Sequence, residues 1–195
     1  MKHNNLLTSF TLLSLLCIFC TSCNDMEMAK KACGTWESIR IVEEDGCKEK
    51  TYYEFGPVKG DTSGGDLKET TYFTERGEVE DGQEYKAQYK SVIKGTWEIL
   101  AGDIYFTYDL STLKVTFEDI SYLGADRLSE SLAQSFIKNY GQSLIQESIE
   151  ELKEQLYNWY SENENNEDCY QNVNIKGDNM SCAASDRVVH LIRIR

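Results

Sequence analysis

The chain has 195 residues with 33 acidic against 20 basic side chains, a formal net charge of −13, and 41% hydrophobic residues. That length suits one domain with a sizeable core and is too short for two large ones. The acidity excludes a basic footprint for nucleic acid and disfavours flat docking on an anionic lipid surface.

In chain order, Met1 to Asn5 is a short polar start with one lysine, and Leu6 to Cys20 is an almost uninterrupted apolar run. The run is too short to span a bilayer comfortably, so it reads as the core of an export signal. Thr21 and Ser22 are the small residues a signal peptidase needs before its cut, and Cys23 supplies a thiol for a diacylglycerol. This arrangement resembles a bacterial lipoprotein signal, with residues 1–22 removed and Cys23 lipidated. The alternative is an ordinary secretory signal cleaved near Ser22. A multiply acylated Cys23, carrying chains such as palmitate, would hold the domain at a membrane at about 0.8 kcal/mol per buried methylene. Residues 23–32 are polar and lack a sustained apolar stripe, and they read as a lipid-anchored tether.

The folded domain is expected from residue 33 to 195. From Gly34 to about Leu123 the apolar residues alternate, as in Tyr53/Phe55, Trp97/Ile99, Ile104/Phe106/Tyr108 and Leu113/Val115/Phe117, the period of half-buried strands. Turn signals stand between the runs at Glu44-Asp45-Gly46, Gly64-Gly65-Asp66, Arg76-Gly77, Asp81-Gly82 and Ala101-Gly102-Asp103. Short strands with close turns and no helical crossovers predict a mainly β, antiparallel meander.

A helical insertion is predicted over 125–161. Leu128, Leu132, Phe136, Ile137 and Tyr140 recur at helical spacing, followed by Leu144, Ile145, Ile149, Leu152, Leu156, Trp159 and Tyr160. Asp126 is placed to cap the first segment and Gly141 divides the two. Strand signals resume at Val173 and Ile175, with turns at Lys176 to Asn179 and Ser185-Asp186, and close with Val188 to Ile194.

Two copies of one signature open strands in the first block, Cys33-Gly34-Thr35-Trp36-Glu37 and Lys94-Gly95-Thr96-Trp97-Glu98. The glycine lets the backbone turn tightly, and each Trp can bury about 150–250 Å² as a plug for a small barrel. With the meander between them, these residues resemble the lipocalin-like domain lipoproteins of the Bacteroides group. The hairpin from Gly95 to Phe106 and the late hairpin from Val173 to Met180 resemble those of that family. The resemblance covers roughly 33–123 and 169–194, leaves the helices outside, and implies a barrel of about eight to ten strands. It also implies a place in the cell envelope, as an outer-membrane lipoprotein exposed at the surface.

Chemistry finds little support in the residues. His190 shares strand parity with Val188, Ile192 and Ile194 and reads as a strand histidine rather than a general base. No nucleophile elbow, phosphate loop or dinucleotide glycine pattern occurs, so no catalytic residue and no cofactor is expected. The acidic clusters at 43–45, 78–81 and 162–168 lack calcium-loop spacing and read as solvated turns, and no metal site is expected. Cys33, Cys47, Cys169 and Cys182 form an even set in an exported chain and are disulfide candidates. Both local pairings, Cys33 with Cys47 and Cys169 with Cys182, fall out of hairpin register, which favours pairing between the two halves.

The leading functional expectation is a non-enzymatic binding module that captures a small apolar molecule, lined by Tyr53, Phe55, Tyr72, Phe106, Tyr108 and Phe117. The alternative is a side-chain-filled barrel that binds an envelope protein partner, with the stripe ending in Leu156, Trp159 and Tyr160 as one docking face.

Overall fold

A computed structural model describes residues 23–42, 47–79, 83–123, 142–164, 169–184 and 187–194. The expected signal at 1–22, the first half of the helical insertion at 125–141 and much of the acidic clusters lie outside these residues. Helix α1 covers residues 23–32. It is followed by β1 (Gly34–Val42), β2 (Cys47–Phe55), β3 (Gly64–Val79), β4 (Gln83–Leu100) and β5 (Asp103–Leu123). Helix α2 (Gln142–Glu164) then precedes β6 (Cys169–Lys176), β7 (Asn179–Ala184) and β8 (Arg187–Ile194).

Each strand pairs antiparallel with the next, and β8 returns to β1, so eight strands form a meander that closes in a ring. The alternation read from the sequence supplies the inward face: Thr51, Tyr53 and Phe55 on β2, Leu67, Glu69 and Thr71 on β3, Ser91, Ile93, Trp97 and Ile99 on β4. The two closures of the ring are short. β1 meets β8 through Thr35–Glu37 and Ile192–Ile194, and β5 meets β6 through Ile104–Tyr105 and Cys169–Tyr170.

One end of the ring is closed by α1. The segment expected to be a tether is a packed helix, with Ala29 and Ala32 fully buried in the same core as Trp36, Phe55 and Trp97. Its buried positions, Asp25, Ala29 and Ala32, follow helical spacing. The Asp25 carboxylate accepts the N–H groups of Ala101 (2.9 Å) and Gly102 (3.1 Å). Those two residues form the β4–β5 turn with φ of 55° and 88°, a conformation that presents successive N–H groups to one acceptor. At the other end of α1, Arg193 donates to the carbonyls of Lys31 and Cys33 and lies over the Trp36 ring at 4.3 Å, while Trp36 Nε1 donates to Ala32 O (2.6 Å).

Two dipeptides expected at turns, Gly64-Gly65 and Arg76-Gly77, lie inside strands. Gly64 and Gly65 begin β3, where a Cβ would sit 2.0 Å from Trp97 O and 2.5 Å from Pro57 O, so the missing side chain permits close packing rather than a bend. Gly77 continues β3 opposite Tyr85, and with Arg76 it does not break the strand. Of the other turn positions, Ala101-Gly102 and Gly177-Asp178 fall between strands as expected, and those at 44–46, 81–82 and 185–186 lie outside the described residues. The helix after Gly141 is α2, and it packs along β5.

The disulfide expectation is not met. Cys33, Cys169 and Cys182 are thiols, and the side chain of Cys47 lies outside the described residues. Cys33 Sγ instead donates within the α1 end, to Ala29 O and Gly56 O, and Cys182 sits in the core facing Val189 O. The register argument against local pairing holds for the first hairpin: Gly34 lies opposite Phe55 and Val42 opposite Cys47, which separates Cys33 from Cys47 by the length of the hairpin.

Candidate functional site

The interior changes character along the ring. Towards α1 it is aromatic. Phe106 lies at the centre, 6.0 Å from Tyr53, 6.1 Å from Phe55, 6.2 Å from Tyr108 and 5.1 Å edge-on from Tyr170, and Phe55 meets Trp97 at 5.1 Å. These separations are those of rings in contact. Of the expected ligand-lining set, Tyr53, Phe55, Phe106 and Tyr108 therefore come together, and they pack on one another.

Two members of that set lie elsewhere. Tyr72 has the opposite parity and stands on the outer face, edge-on to Tyr52 at 6.0 Å and under Lys90. Phe117 lies further along β5, past the register shift between Val92 and Lys94 of the β4–β5 pair. It packs on Tyr89 and lines a separate groove of about 540 Å³ with Leu113, Val115 and Ile149 of α2. Counting by twos sets odd-numbered Phe117 against even-numbered Phe106, but the register shift between Val92 and Lys94 resets the face and leaves Phe117 opposite Tyr89.

Away from α1 the interior becomes polar. Cross-strand register puts Ser38, Thr51, Thr71 and Ser91 in one row across β1 to β4. Thr51 and Thr71 hydroxyls are 3.1 Å apart, and Thr71 reaches Glu69 Oε1 at 3.4 Å. Glu69 is 6% exposed and occupies the interior row of Trp36, Tyr53 and Ile93. Its carboxylate accepts from Tyr108 (2.7 Å) and from Tyr160 of α2 (2.8 Å). A carboxyl in this position satisfies the cost of burial through charged hydrogen bonds. Tyr160 thereby ties α2 into the ring, beside Ile93, Leu113 and Leu156.

Tyr53 and Tyr170 form a second hydroxyl pair, 2.7 Å apart. Burial pushes the Tyr53 phenol well above its ordinary range, with Tyr170, Glu69 and Tyr108 adding to the rise. Burial does the same to Tyr108, reinforced by Glu69 and Tyr160. Both phenols stay protonated at neutral pH. Tyr108 donates to Glu69, and either hydroxyl of the Tyr53–Tyr170 pair can be the donor.

Tyr53 and Tyr170 also border a cleft. Beyond Glu37 the β1–β8 pairing stops, and a cleft of about 160 Å³ opens at that seam. Buried Thr51, Tyr53 and Tyr170 form its inner wall with Ser38, and Glu49, Arg187 and His190 line its rim. His190 is exposed on β8, in keeping with its reading as a strand histidine. The arrangement offers hydrogen-bond donors and acceptors backed by aromatic rings, in a space smaller than a drug-sized pocket of about 300–1,000 Å³.

Sequence reasoning missed Glu69 and Tyr170, and placed Tyr160 on the helical stripe without its contact to Glu69. Glu69 shares parity with Leu67 and Thr71, so its inward direction is visible in the alternation, but a glutamate between a lysine and two threonines reads as a solvated strand position. The comparison with protein-family models gives no match for this chain, and the comparison with curated protein sequences gives none either.

Proposed function

We propose that the protein is a non-enzymatic binding module of the cell envelope, exported on residues 1–22 and anchored by lipid on Cys23. In this reading it has a lipocalin-like barrel that takes up a small molecule, or one end of a longer one, through the β1–β8 seam. The observation that carries the reading is the cleft that runs from Glu49, Arg187 and His190 to the buried Tyr53–Tyr170 hydroxyl pair. An occupant that fits is mainly apolar, to lie against ring faces, and bears one hydroxyl, carbonyl or amide to meet the phenols. The two Gly-x-Trp strand openings, which resemble those of lipocalin-like lipoproteins, support the same reading. The envelope location, at the outer membrane and exposed at its surface, belongs to the proposal.

A second reading, a filled ring that serves as a structural or protein-interaction lipoprotein, is favoured by the mutual packing of Phe55, Trp97, Phe106 and Tyr108. Native mass spectrometry of the protein purified from its own cells separates the two. The binding reading expects a co-purifying small mass in the wild type, lost in a Ser38→Trp variant that fills the cleft and melts at the same temperature. Repeatedly empty wild-type spectra, or a mass retained by Ser38→Trp, sink it.

A further inference from the structure

The way α1 is held gives the ring a defined orientation. Cys23 is exposed at the first described residue of α1, two residues before Asp25, a helical rise of about 3 Å. Asp25 is 5% exposed and grips both N–H groups of the β4–β5 turn. At the other end of the helix, Arg193 holds the carbonyls of Lys31 and Cys33. A lipid on Cys23 is therefore attached to a helix fixed at both ends and has no slack tether between it and the ring. The residue before the gripped turn is Leu100, a large aliphatic side chain that is 58% exposed. Ile194, 39% exposed, stands at the same end, where it pairs with Thr35.

We propose that this α1 end of the ring is a membrane-contacting face. Its partner is the phospholipid bilayer, Leu100 dips into the interface beside the acyl chains of Cys23, and Asp25 is the residue that fixes the pose. The seam then opens away from the bilayer, because β1 and β8 are paired at Thr35–Glu37 and part beyond it. The inference rests on the reading of Cys23 as acylated. It adds that the anchored domain has one face to the membrane and does not swing on its anchor. An exposed leucine and a lipid held together through the Asp25 contact act jointly, since each buried methylene strengthens membrane residence.

The test uses the full chain, processed in its own cells and reconstituted into vesicles of phosphatidylethanolamine and phosphatidylglycerol. A photoreactive phenylalanine derivative replaces Leu100 in one preparation and Val188, exposed on β8 towards the seam, in another. Intact mass first reads the state of Cys23, and irradiation followed by mass spectrometry reads phospholipid adducts. The expected result is an acylated Cys23, adducts at position 100 and none at 188. In Asp25→Ala, with acylation unchanged, the yield at 100 falls about tenfold through loss of two hydrogen bonds to a carboxylate. Asp25→Asn, which keeps one acceptor oxygen, falls in between. Equal adducts at 100 and 188 on an acylated protein, or an unchanged yield in Asp25→Ala, overturn the orientation. An unmodified Cys23 overturns the anchor reading itself.

Discussion

Replacing Gly95 by alanine tests how the ring is held together at the Gly-Thr-Trp signature. Gly95 pairs with Leu67 on one side and Tyr108 on the other. A Cβ there would lie 2.0 Å from Thr107 O, 2.9 Å from Thr107 C and 3.0 Å from Tyr108 Cα, all backbone atoms of β5. An ordinary C···O contact is about 3.3 Å or more, so β5 must retreat by roughly 1 Å from a strand spacing of about 4.8 Å. That movement stretches two or so ladder hydrogen bonds beyond useful length, at about 1 kcal/mol each, and adds overpacking of about 1–3 kcal/mol. The expected cost is about 3–5 kcal/mol, a large part of the ~5–15 kcal/mol that holds a domain folded. For a domain of this size it lowers Tm by roughly 6–20 °C. Thermal and urea melts followed by circular dichroism on the chain without residues 1–22 measure it. Gly177→Ala is the control: no atom lies within 4 Å of its Cβ, but φ is 61°, so only about 1–2 kcal/mol of backbone strain is expected. A Gly95→Ala protein melting within about 2 °C of wild type, or one more stable than Gly177→Ala, refutes the close-approach explanation.

Tyr160→Phe removes the α2 donor to Glu69 while Tyr108 remains. Losing a hydrogen bond to a charged group costs about 1.5–3 kcal/mol, so amides of α2 should exchange with deuterium about tenfold faster or more while those of β2–β4 hold. Unchanged α2 protection counts against Tyr160 as the link. Alkaline pH supplies another check. Tyr53 and Tyr108 are raised well above the usual phenol range, and burial pushes the Cys182 thiol up to about 12. These groups are acids whose folded pKa exceeds the unfolded one, so their contribution is fully present below the unfolded values of about 8.5–10 and is lost as pH climbs towards the folded ones. Titration at 295 nm should leave some tyrosines un-ionised until the β signal collapses. Full ionisation near pH 10 with intact secondary structure contradicts the buried network.

The strands were legible because most inward positions are large and apolar, and because Ala101-Gly102 and Gly177-Asp178 carry turn chemistry that survives into the fold. Gly64-Gly65 misled for a physical reason: glycine answers both the need for an unusual φ and the need for room, and only the packed neighbours Pro57 and Trp97 reveal which applies. Helix α1 was hidden because its buried stripe consists of one aspartate and two alanines, small in apolar signal although correctly spaced. The site was half visible. Parity brought Tyr53, Phe55, Phe106 and Tyr108 onto one face, but Tyr160 and Tyr170, which meet Glu69 and Tyr53, come from α2 and β6, and no local pattern announces a contact such as Tyr53 with Tyr170, 117 positions away.

The brevity of the β1–β8 closure bears on how the chain reaches its fold. Hairpins from β1 to β5 form between sequence neighbours, whereas Arg193 must find Cys33 across 160 positions before the ring shuts. Loop-closure entropy places such contacts late. Until then β1 and β8 each present an open edge to other chains, and the three residue pairs that join them double as a latch against edge-to-edge aggregation.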